Sequence, residues 1–425
     1  VSKIGIVTFS SPGHINPSIT LAKELERRGH RVTFYTLVNG VAKIEAAGFR
    51  VRPYGLHELG EESIAESYRE LGNLTGLRAV RFTVELLKRR ITIGLRELPM
   101  CFREDQIDGL VIDQVVPAGT VIARSENIPF VTLSNALPMN LDAIAPPVFS
   151  HRGPARGPLD RLGIRLLNGL QNHLAKPLVA IANQYQRANR LPIYRSITEL
   201  RSELAQVTQL PPQFDFRRSQ IDETFHYTGP FHSRESRPPV DFPWDRLSDE
   251  VPLIYASMGT LQNQIRRVFE MIAEACRELP VQLVISLGAK VTPDEYAHLP
   301  GNPITVGYAP QLELLQKASV CITHAGLNTA LESIAHGVPM LAIPITNDQP
   351  GVAARIRHHG LGRVIGLQKL TVAKIRTTLQ TLLQDPQYTE KANAFQAAIA
   401  SVDGASEATK IIETALNAKP IRELA

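Results

Sequence analysis

His324-Ala-Gly-Leu-Asn-Thr-Ala-Leu-Glu-Ser-Ile-Ala-His-Gly-Val-Pro-Met-Leu-Ala-Ile-Pro-Ile-Thr-Asn-Asp-Gln349 is the stretch from which the chain is read. It follows an apolar run, Val320 to Thr323, bends at Gly326, opens a helix near Asn328 and ends that helix at Gly337. A second apolar run, Val338 to Ile345, ends in the polar cluster Asn347, Asp348 and Gln349. The pattern predicts strand, tight turn, helix and strand. Such a turn aims unbonded backbone N–H groups and the positive helix end at whatever lies above it, so an anion, phosphate before others, is the expected ligand.

The same pattern opens the chain. Lys3 to Phe9 reads as a strand and Ser10 to Pro17 as the turn after it, with Asn16 as N-cap and Pro17 as first helical residue. The helix is expected to end at Gly29, and Arg31 to Thr36 to return as a parallel strand, which begins a doubly wound sheet. Further strands are expected at residues 108–113 and 129–134. His14 and Asp113 then both stand beyond the carboxyl ends of strands, along the edge where open α/β sheets collect ligands. A histidine whose tautomer is fixed by a carboxylate is a general-base pairing. By position alone a helix cap and a strand-end cap are equally open readings.

The run Gly229 to Pro239 breaks the composition, and α/β alternation restarts at Leu253 to Ser257. The expected fold is α/β, two Rossmann-like doubly wound domains facing across a cleft. The divisions are an N-terminal domain at 1–230, a linker at 231–250, a second Rossmann-like domain at 251–403, and a terminal helix at 404–425 packing back toward the first domain. Residues 161–190 are basic and amphipathic. Leu162, Leu166, Leu170, Leu174 and Leu178 recur every fourth residue, which predicts an apolar face turned to the core or to a pocket, with a membrane-facing helix as the competing reading. Pro138 to Pro158, with Met139, Leu141, Ile144 and Phe149, reads as a long apolar loop, either covering a binding site, where these four would touch the ligand, or crossing the surface with no ligand role.

Composition narrows the classes. At 425 residues, 44% hydrophobic and 20% charged, the chain is expected to be soluble, cytoplasmic and two-domained. No apolar run reaches membrane-spanning length. Cys101, Cys276 and Cys321 are too few for a disulfide framework or zinc site and read as core thiols. Residues 1–230 carry 28 basic against 22 acidic side chains, and the rest 18 against 19. That asymmetry is too mild for nucleic acid, though it leaves a weak peripheral membrane contact open. No G-x-G-x-x-G follows the first strand and there is no P-loop, so neither a nicotinamide or flavin cofactor nor a P-loop nucleotidase is expected, and no metal-ligand pair is visible.

The stretch His324 to Gln349, with Tyr255-Ala-Ser-Met-Gly-Thr260, Tyr308-Ala-Pro-Gln-Leu312 and the Gly13-His14 turn, resembles the donor signature of family-1 nucleotide-sugar glycosyltransferases of GT-B fold, which include macrolide and flavonoid enzymes. Asp113 to Pro147 is further similar to bacterial zeaxanthin glucosyltransferases. The resemblance implies an inverting, metal-independent transfer of a sugar, glucose first among candidates, from a UDP-sugar to a small hydrophobic hydroxylated acceptor. No cofactor is implied, and a monomer is expected. His14 would be the base and Asp113 its orienter. His324, Gly326, Asn328, Thr329 and Thr260 would meet the diphosphate, Glu332 the ribose, Asp348 and Gln349 the sugar, and Gln311 the base, with Gly13 beside the donor. Tyr308 would stack on uracil where plant members carry Trp, which leaves UDP and dTDP both open. A sugar-nucleotide epimerase and a non-catalytic nucleotide-sugar or lipid binder are the competing readings, and an intact His14–Asp113 pair disfavours both.

Overall fold

A computed structural model describes residues 1–73, 76–232, 237, 240–259, 266–288 and 293–417. Their strands form two wholly parallel sheets. The first contains β1 (Lys3–Val7), β2 (Arg31–Leu37), β3 (Arg50–Tyr54), β4 (Gly109–Asp113), β5 (Phe130–Ser134), β6 (Gln206–Thr208) and β7 (Phe225–Tyr227), in the order β3-β2-β1-β4-β5-β6-β7. The second contains β8 (Leu253–Ser257), β9 (Gln282–Ser286), β10 (Ile304–Val306), β11 (Ala318–Thr323), β12 (Met340–Ala342) and β13 (Gly362–Val364), in the order β10-β9-β8-β11-β12-β13. In each sheet the order reverses beside the first strand, so a crevice opens at the carboxyl ends of β1 and β4 and of β8 and β11. Strands β4, β5 and β8 are buried at every residue, as sheets covered on both faces require.

Two sequence expectations change. The first helix spans Pro12–Arg27, so Pro12 rather than Pro17 opens it and Pro17 lies inside. His14 therefore sits in the first helical turn, not in a loop before it. The leucine stripe does not face the core. Leu162, Leu166 and Leu170 are exposed on the helix Pro158–Ala188, while its buried side carries Ile164, Gln171, Val179 and Ala182. Each four-residue step turns roughly 40° about a helix of 3.6 residues per turn. Four such steps walk the stripe from solvent toward the half-buried Leu174 and Leu178.

The terminal helix Gly404–Asn417 crosses back to the first sheet and buries Ala405, Ala408, Ile412 and Ala415 with Ile19, Val111 and Val207. A second tie is polar. Asp215 Oδ1, from the first half, accepts from Arg355 Nε and Nη2 at 3.0 and 2.6 Å, from the second. Its Oδ2 accepts from Arg218 Nε at 2.8 Å and the Tyr227 hydroxyl at 2.6 Å. Arg355 lies over the Phe216 ring, 4.3 Å from its centroid. Burial alone would raise the Asp215 carboxyl, but Arg355, Arg218 and the hydrogen bonds hold it down at about 2.

A carboxylate depressed on folding stabilises above its ordinary pKa and loses that contribution as the folded-state pKa is crossed. Thermal stability is therefore expected to fall as pH drops from 3.8 through about 2. Asp215→Ala is expected to cost about 3–5 kcal/mol at neutral pH, because it strands buried Arg355, and to flatten that acid dependence. Melting curves across pH check both.

Candidate active site

Ser11 in extended conformation starts the first helix, and its carbonyl accepts from His14 N–H and Ile15 N–H, both at 2.9 Å. This places the His14 side chain over the end of β4. His14 Nδ1 meets Asp113 Oδ2 at 2.6 Å. Asp113, the last residue of β4, is buried; its Oδ1 accepts from Val115 N–H at 3.1 Å and its Oδ2 also from Asn135 Nδ2 at 3.0 Å. Asn135 donates further to the His14 carbonyl at 3.2 Å and the Ser18 hydroxyl at 3.0 Å. With Nδ1 committed to Asp113, Nε2 is the nitrogen left to work.

Burial opposes a charge on His14. Asp113, by charge and hydrogen bond, together with Asp348 from the opposite half, outweighs burial and raises the pKa above 6.5. Asp348 Oδ2 is itself held by Leu137 N–H at 3.0 Å, a bond between the halves.

On the facing wall, the helix Leu327–Ala335 begins at Gly326, and Leu327, Asn328 and Thr329 form its first turn. Ala325 before it has φ 64°, a left-handed conformation of the kind that gathers at ligand sites. The His324 ring stands in a slot between two glycines. A Cβ on Gly259 would lie 2.6 Å from His324 Nε2, and one on Gly326 2.5 Å. Burial, offset only in part by the Ser257 backbone, lowers His324 to about 4, so near neutrality it is an uncharged hydrogen-bonding group.

Asn328 spans the cleft. Its Nδ2 donates to the Gly13 carbonyl and its Oδ1 accepts from Gln209 Nε2, both at 2.6 Å. Pro17 explains the first bond: it lacks the N–H that would reach back four residues to Gly13, so that carbonyl is left for Asn328. Glu332, buried one turn on, accepts from Gln311 Nε2 at 2.5 Å and from Arg237. Gln311 Oε1 accepts from the Tyr255 hydroxyl at 2.9 Å. Lys43 Nζ, from the first half, lies 5.6 Å from the Tyr308 ring centroid, and burial followed by the charge of Arg237 lowers it to about 8. Gln349 is buried, its Oε1 accepting from Ile345 and Thr346 N–H at 2.8 and 2.9 Å. Thr260 lies outside the described residues, as do 233–236, 238–239 and 418–425.

Asn16, Pro17, Gln209, His232, Arg237, Asn328 and Glu332 line a narrow cavity between the walls. Beside the Phe9 ring a second, partly open cavity is lined by Phe9, Leu37, Tyr54, Leu87, Arg90, Ile91 and Val116, among others. The Phe9 ring stands 5.2 Å from the His14 ring, and the Arg90 guanidinium 4.6 Å from Phe9. Met139, Leu141, Ile144 and Phe149 are half-buried and line neither cavity. Met139 N–H does bond Gln114 Oε1, 3.1 Å away and next in sequence to Asp113. Sequence reasoning missed Asn135, Gln209, Arg237, Lys43 and the second cavity; Asn135 sits unmarked within the stretch Asp113 to Pro147, and the other residues lie in no motif, so only folding brings them here. Among the described residues, no group of three His, Cys, Asp or Glu side chains is placed to hold a metal ion.

Residues 78–399 match the family model described as UDP-glucoronosyl and UDP-glucosyl transferase. A zeaxanthin glucosyltransferase from Pantoea ananas is 30% identical over 94% of this chain and 93% of its own. Among solved structures, the glycotransferase of kitacinnamycin superposes with a TM-score of 0.76 at 22% identity, covering 97% of this chain and 98% of its own. The glycosyltransferase VinC in complex with dTDP gives 0.71 at 18% identity, over 98% and 100% of the two chains.

Ring-carbon NMR of His14 in the full chain is expected to titrate above pH 6.5. In Asp113→Ala, with burial left to act, the midpoint is expected to drop below it. A midpoint indifferent to Asp113 would contradict the assigned pairing.

Proposed function

Because the chain belongs to the UDP-glucoronosyl and UDP-glucosyl transferase family, we propose a specific chemistry for its two-walled cleft. It moves glucose, with inversion, from UDP-glucose to a hydroxyl of a small hydrophobic acceptor. His14 Nε2 removes the hydroxyl proton while the oxygen forms its bond to the anomeric carbon. The bond from that carbon to the diphosphate breaks on the opposite face, and the electron pair leaves with the diphosphate. Asp113 steadies the imidazolium that results.

The observation that carries this reading is the 2.6 Å His14–Asp113 bond facing the first turn of the helix Leu327–Ala335. A base stands on one wall and an anion-binding helix end on the other. The diphosphate would meet the amides of that turn, the Thr329 hydroxyl and neutral His324, so the reading needs no metal. Asp348, close enough to His14 to raise its pKa, would bind sugar hydroxyls beside the reacting carbon. Glu332 would exchange Arg237 for the ribose hydroxyls, and Tyr308 would exchange Lys43 for the base. The apolar cavity beside Phe9 would take the acceptor, with a carotenoid or a polyphenol both compatible.

The test incubates the protein with UDP-glucose or dTDP-glucose and a panel of phenols, sterols and carotenoid diols, with and without EDTA. Release of the nucleoside diphosphate is expected to match glucoside formed, to be insensitive to EDTA, and to fall about 10²–10⁴-fold in His14→Ala. Undiminished turnover in that variant, or donor binding with no transfer to any acceptor, would overturn the reading.

A further inference from the structure

Leu159, Leu162, Leu166 and Leu170 are 84%, 52%, 68% and 46% exposed, on a helix whose other side buries Ile164, Gln171 and Ala182. At 3.6 residues per turn the four fall within a sector of roughly 80°. They make one continuous apolar stripe, unlike leucines scattered singly over a surface. Cations border it. Exposed Arg165 and Lys176 follow one flank, and Arg152, whose guanidinium lies 2.8 Å from where a Cβ on Gly163 would stand, marks the other. Residues 151–176 hold five Arg or Lys against one acidic residue, Asp160.

We propose that this stripe is a docking surface for an anionic lipid bilayer. Laid parallel to the surface, the helix places its leucines at the boundary of headgroups and acyl chains and its cations among the headgroups. The attachment is peripheral, since no helix among the described residues is long and apolar enough to cross a membrane. Charge argues against a second copy as occupant: a two-fold pairing would set these cations against their own copies. The helix also has a route to the site. On its inner side Asn168 Nδ2 donates to the Asp142 carbonyl at 2.8 Å and Gln171 Nε2 to the Met139 carbonyl at 3.2 Å. It thus carries the loop that bonds the residue after Asp113, and the docked face lies behind that loop. The inference stands apart from the choice of donor or acceptor.

The test is flotation of the full chain with phosphatidylcholine vesicles that contain or lack phosphatidylglycerol. Binding is expected only with phosphatidylglycerol and is expected to weaken as salt is raised. The double variant Arg152→Gln, Arg165→Gln is expected to bind about 30-fold more weakly. Leu162→Glu with Leu166→Glu is expected to abolish flotation, with an unchanged melting temperature because both side chains are exposed. Three results would overturn the proposal. One is no flotation with either vesicle, and another is flotation indifferent to the leucine pair. The third is a lipid-free dimer in sedimentation velocity that the leucine pair dissolves, which would make a second copy the occupant.

Discussion

The buried bond between Arg355 and Asp215 sets how the two sheets face each other. Arg355 is 2% exposed, and its carboxylate partner is also held by Arg218 and Tyr227. An ion pair with this little water about it has few alternative geometries, and losing Asp215 leaves Arg355 a buried charge without its counter-ion. Arg355 comes from the helix Gln349–His358, whose N-cap is Asp348. The same rigid helix therefore fixes the interface at one end and delivers Asp348 toward His14 at the other. The return of the helix Gly404–Asn417 to the first sheet closes the arrangement from the far side.

Two histidines on opposite walls are tuned in opposite directions. His14 is raised because two carboxylates outweigh its burial, and His324 is lowered to about 4 because burial meets little opposition. One is suited to taking a proton during reaction. The other stays uncharged near neutrality, able to hydrogen-bond without exchanging a proton. A pair whose environments push their titration apart is how one cleft assigns separate roles to identical side chains. The slot between Gly259 and Gly326 keeps His324 in place sterically, since a Cβ on either glycine would collide with the ring.

The central strands and the donor stretch were legible in sequence because parallel strands buried on both faces are unbroken apolar runs. β8 was expected at Leu253 to Ser257 and is found there, and Val320 to Thr323 lies within β11. The outer strands of the first sheet were not legible. β3 reads Arg-Val-Arg-Pro-Tyr, and β6 and β7 have three residues each, so none carries the apolar signal. Pro17 misled because a proline inside a helix is tolerated only when its orphaned carbonyl finds another donor, and that donor, Asn328, is 315 residues away. The leucine stripe misled because fourfold spacing drifts around a helix. Arg237 and Lys43 carried no signal at all, as each reaches the cleft from a segment without a motif.

The central claim is an in-line displacement at the anomeric carbon, with His14 and the diphosphate site on opposite walls. Its most direct test is the anomeric configuration of the product, read from the proton coupling constant in NMR of a glucoside made from α-linked UDP-glucose. The account predicts a β-glucoside as the first product formed. An α-glucoside would contradict it, since retention requires attack from the face the diphosphate leaves or two successive displacements, and the roles proposed for His14 and the helix Leu327–Ala335 provide for neither.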